Sequence, residues 1–102
     1  MKMYLISDNI DTQIGLRLAG IDGCVVHERG EIEAAMNRAF EDKELGILIF
    51  TEKAAAEVKA EIAAARMTRH MPLIIEIPDR HGSRDIAGSI NQMVEESIGL
   101  KL

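Results

Sequence analysis

The chain has 102 residues, 47% hydrophobic and 28% charged, with twelve basic against seventeen acidic side chains and a formal charge of -5 at pH 7. That length supports one domain around one core, and the composition lies far from the weakly hydrophobic signature of disordered chains. An acidic balance with no Lys/Arg cluster argues against nucleic acid as a partner, and no apolar run approaches the length of a signal peptide or a membrane span.

A cytoplasmic protein with no direct membrane insertion is therefore expected. The single cysteine, Cys24, leaves no internal disulfide and no thiolate metal cage; beside Val25 and Val26 it reads as a small buried hydrophobe.

Short apolar runs alternate with longer stretches of helical period, the pattern of parallel βαβ units. The first strand, residues 2–7, is nearly continuous in large apolar side chains, as expected where helices cover both faces of a sheet. Asp8 or Asn9 then caps a helix whose apolar positions Ile10, Ile14, Leu18 and Ile21 are assigned to its buried face, with Gly20 at its end. A short second strand is expected over residues 24–27. After it, Ile32, Ala35, Met36, Ala39 and Phe40 follow the i, i+3, i+4, i+7, i+8 spacing of a second helix.

Residues 45–50 form a third strand. Thr51 is placed to cap an alanine-rich helix over residues 52–66, with Val58 and Ile62 on its buried side. Pro72 and Pro78 bracket a fourth strand over residues 71–77, and Glu76 interrupts its apolar run as an edge strand would. The segment DRHGSR, residues 79–84, has no apolar member. Ile86, Ile90, Met93 and Val94 follow it at helical spacing. The expected organisation is a parallel α/β domain over residues 1–78, a polar hinge over 79–85 and a C-terminal amphipathic helix over 86–102. Right-handed crossovers give a four-stranded parallel sheet in the order 2-1-3-4, flanked by helices in a flavodoxin-like, receiver-like arrangement.

Ligands of such sheets bind beyond the carboxyl ends of the strands. A receiver domain needs an aspartate after the third strand, where this chain has Thr51 and Glu52, and a glutamate at a helix start is accounted for by the helix dipole. The segment SDNIDTQIG after the first strand is acidic, poorly suited to cradling a phosphate. Gly15 and Gly20 share the spacing of a nucleotide loop, but Ile21 and Asp22 stand where it needs Lys and Ser/Thr. His27, His70 and His81 lack ligand-spaced partners and read as solvated polar residues; a catalytic or pH-sensing role is conceivable for His81 alone. No catalytic residue, cofactor site or metal site is assigned.

Two features point instead to a protein partner. Leu16 lies about 160° round the first helix from the stripe assigned to the core, which would turn it outward beside Arg17. The C-terminal stripe of Ile86, Ile90, Met93 and Val94 either covers a flank of the sheet or meets a partner. A single outward leucine is by itself unremarkable.

The segment DTQIGLRLAG, the strand ILIF and the segment PLIIEIP occur here in the order in which they stand in the F subunit of V-type and A-type ATP synthases, which the chain resembles over essentially its whole length. Family members often carry an aromatic residue where this chain has Leu16, so the apolar character is kept and the ring is not. The resemblance implies a non-catalytic component of the central rotor stalk, in the V1/A1 sector peripheral to the membrane. Its partners would be the coiled coil of the D subunit and the A3B3 head, where ATP is handled. It also implies that the C-terminal helix contributes Ile86, Ile90, Met93 and Val94 to the stalk contact. Two readings on the same fold compete with it: a phosphorylation-controlled receiver-like switch and a small-ligand sensor using the strand-end crevice.

Overall fold

A computed structural model of the chain describes residues 1–78. The hinge and the C-terminal helix expected beyond Pro78 lie outside the described residues, and with them His81, Ile86, Ile90, Met93 and Val94. In chain order the elements are β1 (Lys2–Ser7), α1 (Ile10–Leu18), β2 (Asp22–Val25), α2 (Arg29–Glu41), β3 (Leu45–Thr51), α3 (Glu52–Ala56), α4 (Lys59–Thr68) and β4 (Leu73–Ile77). The strands form one parallel sheet in the order β2-β1-β3-β4, as the alternation of periods predicts.

All seven residues of β3, LGILIFT, are buried. Its run of Ile and Leu has no polar alternation because helices and neighbouring strands leave neither face to water. Its even side chains, Leu48 and Phe50, join α2, α3 and α4 in one core with Ile6, Ile32, Met36, Val58 and Ile62. Its odd side chains, Ile47 and Ile49, face the other side with Leu5, Ile75, Ile77 and Leu16 of α1. At β2 the chain passes so close to β1 that a Cβ on Gly23 would sit 2.7 Å from the Cβ of Leu5, so a larger residue there would push the strands apart.

Three elements differ from expectation; the simplest is β4, which begins at Leu73 rather than at residue 71. β2 begins two residues early, at Asp22, because the first helix stops at Leu18 and the chain turns back to the sheet at once. Cys24 is consequently half-buried rather than enclosed. The alanine-rich helix is two helices, broken at Glu57 and Val58, where no Gly or Pro announces a break. Val58, with φ -131° and ψ 36°, is fully buried at the junction, and Arg29 of α2 donates to the carbonyl of Glu57 and to the carboxylate of Glu61.

Thr51 occupies the residue before α3, but its side chain makes no cap. Its hydroxyl accepts a hydrogen bond of 3.1 Å from the backbone N–H of Asp8, tying the ends of β3 and β1 together. β4 is an edge of the sheet with Glu76 exposed, as expected.

Glu31 anchors the start of α2: its carboxylate accepts from the backbone N–H groups of His27 (2.8 Å) and Glu28 (3.1 Å), which helix geometry leaves without intrahelical partners. Those two donors hold the Glu31 carboxyl below its ordinary value of 4.5. A depressed carboxylate contributes its stability in full above that value and loses it as pH falls through the folded-state value. The wild-type thermal midpoint should therefore carry an acid-sensitive component below about pH 4.5 that Glu31→Gln lacks. Identical acid dependence in the two proteins, followed by circular dichroism from pH 7 to pH 2, would contradict this role.

Candidate docking surface

At the carboxyl ends of β1 and β3, where a ligand of this fold would bind, the polar side chains are turned on the chain itself. The buried Ser7 hydroxyl donates to the Asn9 carbonyl (2.6 Å) and accepts from the Asn9 N–H (3.0 Å). Thr51, equally buried, takes the Asp8 N–H. The side chain of Asn9 accepts from the N–H of Thr12 at 2.7 Å and so caps α1. Each of these bonds shapes the turn from strand to helix. Among the described residues no group of three or more His, Cys, Asp or Glu side chains is arranged to hold a metal ion.

The other end of α1 is closed by a Schellman turn. Gly20 adopts φ +89°, a left-handed conformation that a side chain would strain. Gly20 N–H then reaches the Arg17 carbonyl at 2.9 Å, and Ile21 N–H reaches the Leu16 carbonyl at 2.9 Å. In this motif the residue two places beyond the cap and the one in the last turn that accepts its N–H make an apolar contact. Here those residues are Ile21 and Leu16: Leu16 is fully buried beneath α1, and the partly buried Ile21 packs against that core.

That turn overturns the assignment of faces on α1. Leu16, expected to point outward, is 0% exposed, and Thr12 beside it on the wheel is 2% exposed. The residues assigned to the core point away from the sheet: Ile10 is 60% exposed, Ile14 47% and Leu18 85%. The spacing of Ile10, Ile14 and Leu18 is helical on either side of the helix, and periodicity alone does not say which arc goes in. Ile21, which completed the expected stripe, lies past the helix end, so its spacing from Leu18 carries no helical meaning. The signal that could have corrected the assignment is Gly20, because a Schellman turn there pairs Ile21 with Leu16 and brings both inward.

The outer face of α1 is thus an unbroken line of three large apolar side chains, with Asp11 in the first turn and Arg17 in the last. Arg17 is exposed beside it, as expected. Burying such side chains gains roughly 1.5–3 kcal/mol each, and exposed apolar residues that fall in line mark interaction sites more often than scattered ones do.

The sequence matches known proteins over most of its length. Residues 3–94 fit the model of a family described as "ATP synthase (F/14-kDa) subunit". The chain is 29% identical to the F subunit of the A-type ATP synthase of Thermococcus kodakarensis, an alignment covering all of this chain and 98% of the relative. It is 32% identical to that of Methanosphaera stadtmanae over 90% of this chain and 88% of the relative, and 28% identical to that of Methanocaldococcus jannaschii over 100% and 99%.

Leu16→Ala should act on the fold: removing a fully buried leucine costs about 2–5 kcal/mol. In urea unfolding the midpoint should drop accordingly, and a change below about 0.5 kcal/mol would place Leu16 back on the surface.

Proposed function

Because the chain belongs to the family of the ATP synthase (F/14-kDa) subunit, we propose that it is a non-catalytic component of the central rotor stalk, docking onto the coiled coil of the D subunit. In this reading it stiffens the shaft beneath the A3B3 head and helps couple ATP turnover there to ion movement through the membrane. It sits peripheral to the membrane in the V1/A1 sector; no helix among the described residues is long and apolar enough to cross one.

The observation that carries the reading is the outward stripe of Ile10, Ile14 and Leu18. A coiled coil presents apolar side chains every three or four residues along a helix, and an apolar ridge at the same spacing is the shape that lies along it. Three such side chains left in water are a cost to a free domain and a gain to a docked one. Arg17 joins this surface, since it is exposed in the last turn of α1 and arginine is favoured at interfaces. Leu16 does not, because it is consumed by the core. The second contact is the C-terminal stripe of Ile86, Ile90, Met93 and Val94, proposed from its spacing. The work requires packed area and no reacting group, which agrees with strand-end hydroxyls committed to the turns.

Two substitutions test the two surfaces separately. Ile14→Asp places a charge in the middle of the α1 ridge without disturbing the core, so the isolated protein should keep its unfolding midpoint within about 0.5 kcal/mol. It should also lose binding to the D subunit, since an unpaired charge in a dry interface costs several kcal/mol. Ile90→Asp combined with Val94→Asp should do the same from the C-terminal side. Undiminished co-purification of the Ile14→Asp protein with the D subunit would remove α1 from the contact, and the same result for the double variant would remove the last segment.

A further inference from the structure

The two edges of the sheet are unlike. β2, at one, has four residues, DGCV, and both Asp and Gly are disfavoured in strands. β4, at the other, reads LIIEI, four large aliphatic side chains with one charge. That composition favours extended chain, and an edge strand presents backbone N–H and C=O groups on which another strand can pair. Among the described residues no strand pairs with the outer edge of β4.

Arg66 reaches this edge from the last turn of α4. Its guanidinium donates to the Ile74 carbonyl at 2.9 Å and lies 3.9 Å from the Glu76 carboxylate. Ile74 and Glu76 are two residues apart and so share one face of the sheet, the face on which Ile74 enters a core with Ile62 and Ala65 of α4. Arg66 therefore comes over the strand from the helix side, engages one of its backbone acceptors and sets a second charge beside Glu76. The two side chains are 49% and 41% exposed, and an ion pair so well hydrated contributes little to stability. What Arg66 alters is the surface that the edge offers. Pro72 and Pro78 stand just outside the strand without an N–H to donate, which shortens any pairing that could start there.

We propose that Arg66 is a guard on the β4 edge, which prevents a second copy of this chain from adding its own β4 there. A second copy is the partner to be excluded because it brings an identical aliphatic strand. Two such strands can pair antiparallel about a twofold axis, the commonest symmetry of protein dimers. To do so they would have to displace each guanidinium from its Ile74 carbonyl and crowd two Arg66–Glu76 pairs together. LIIEI has one charge of its own, and Arg66 adds another from outside the strand, the means by which exposed edges are kept from pairing.

The test uses the full chain, with mass followed by light scattering over a concentration series and amide hydrogen exchange read at residues 73–77. Wild type should stay monomeric. Arg66→Ala should keep its thermal midpoint nearly unchanged and self-associate at least tenfold more tightly, with added exchange protection at residues 73–77 as the dimer forms. Arg66→Met keeps the apolar stem while losing the charge and the donors, and it decides the matter if the alanine variant does not fold. A folded variant that remains monomeric, or one that associates without added protection at residues 73–77, would overturn the proposal. So would a wild-type chain that already dimerises through those residues.

Discussion

Strand β3 is the constraint from which the rest of the structure follows. It is hydrogen-bonded on both edges, to β1 and β4, and enclosed on both faces, so each of its seven residues is withdrawn from water. A strand in that position must satisfy its backbone through its neighbours and its side chains through helices on two sides. The order β2-β1-β3-β4 follows from right-handed crossovers, which send α1 to one side and α2, α3 and α4 to the other. The bond from Asp8 N–H to Thr51 fixes the carboxyl ends of the two central strands relative to each other. It also spends on architecture the hydroxyl that would stand nearest any ligand at that end.

This division of labour is what the proposed use of the fold for surface recognition would require. The polar groups at the crevice face inward to the turns, and the apolar groups that would ordinarily lie inward on α1 face out. An exposed ridge on a regular helix holds its shape better than a loop does, because rotamers and backbone are fixed before a partner arrives.

The strand order and, to within a residue, the bounds of β1 and β3 were legible in the sequence, because buried parallel strands leave uninterrupted apolar runs, while β2 and β4 were each misplaced by two residues at their starts. The second helix was legible for a similar reason: Ile32, Ala35, Met36 and Ala39 form its only apolar arc, so its facing was never ambiguous. The first helix has two arcs that a core could accept, and counting apolar residues chose the larger one. Packing chose the smaller, because the turn at Gly20 ties Leu16 to Ile21, and Thr12 lets the helix lie near the sheet. The break at Val58 could not be read, since nothing local requires it and its satisfaction comes from Arg29, far away in the chain.

Arg29 has one more consequence. By gripping both Glu57 and Glu61 it joins α2 to the α3–α4 pair, so that side of the sheet is braced by polar links as well as by a broad apolar layer. On the α1 side the one described helix is held by a cap at each end and by the buried Thr12 and Leu16 between them. Among the described residues the two faces of the sheet are thus braced by different means. A push on the outer ridge of α1 would reach β1 and β2 through the buried Thr12 and Leu16, so the elasticity of any joint made there depends on how tightly those two side chains are held.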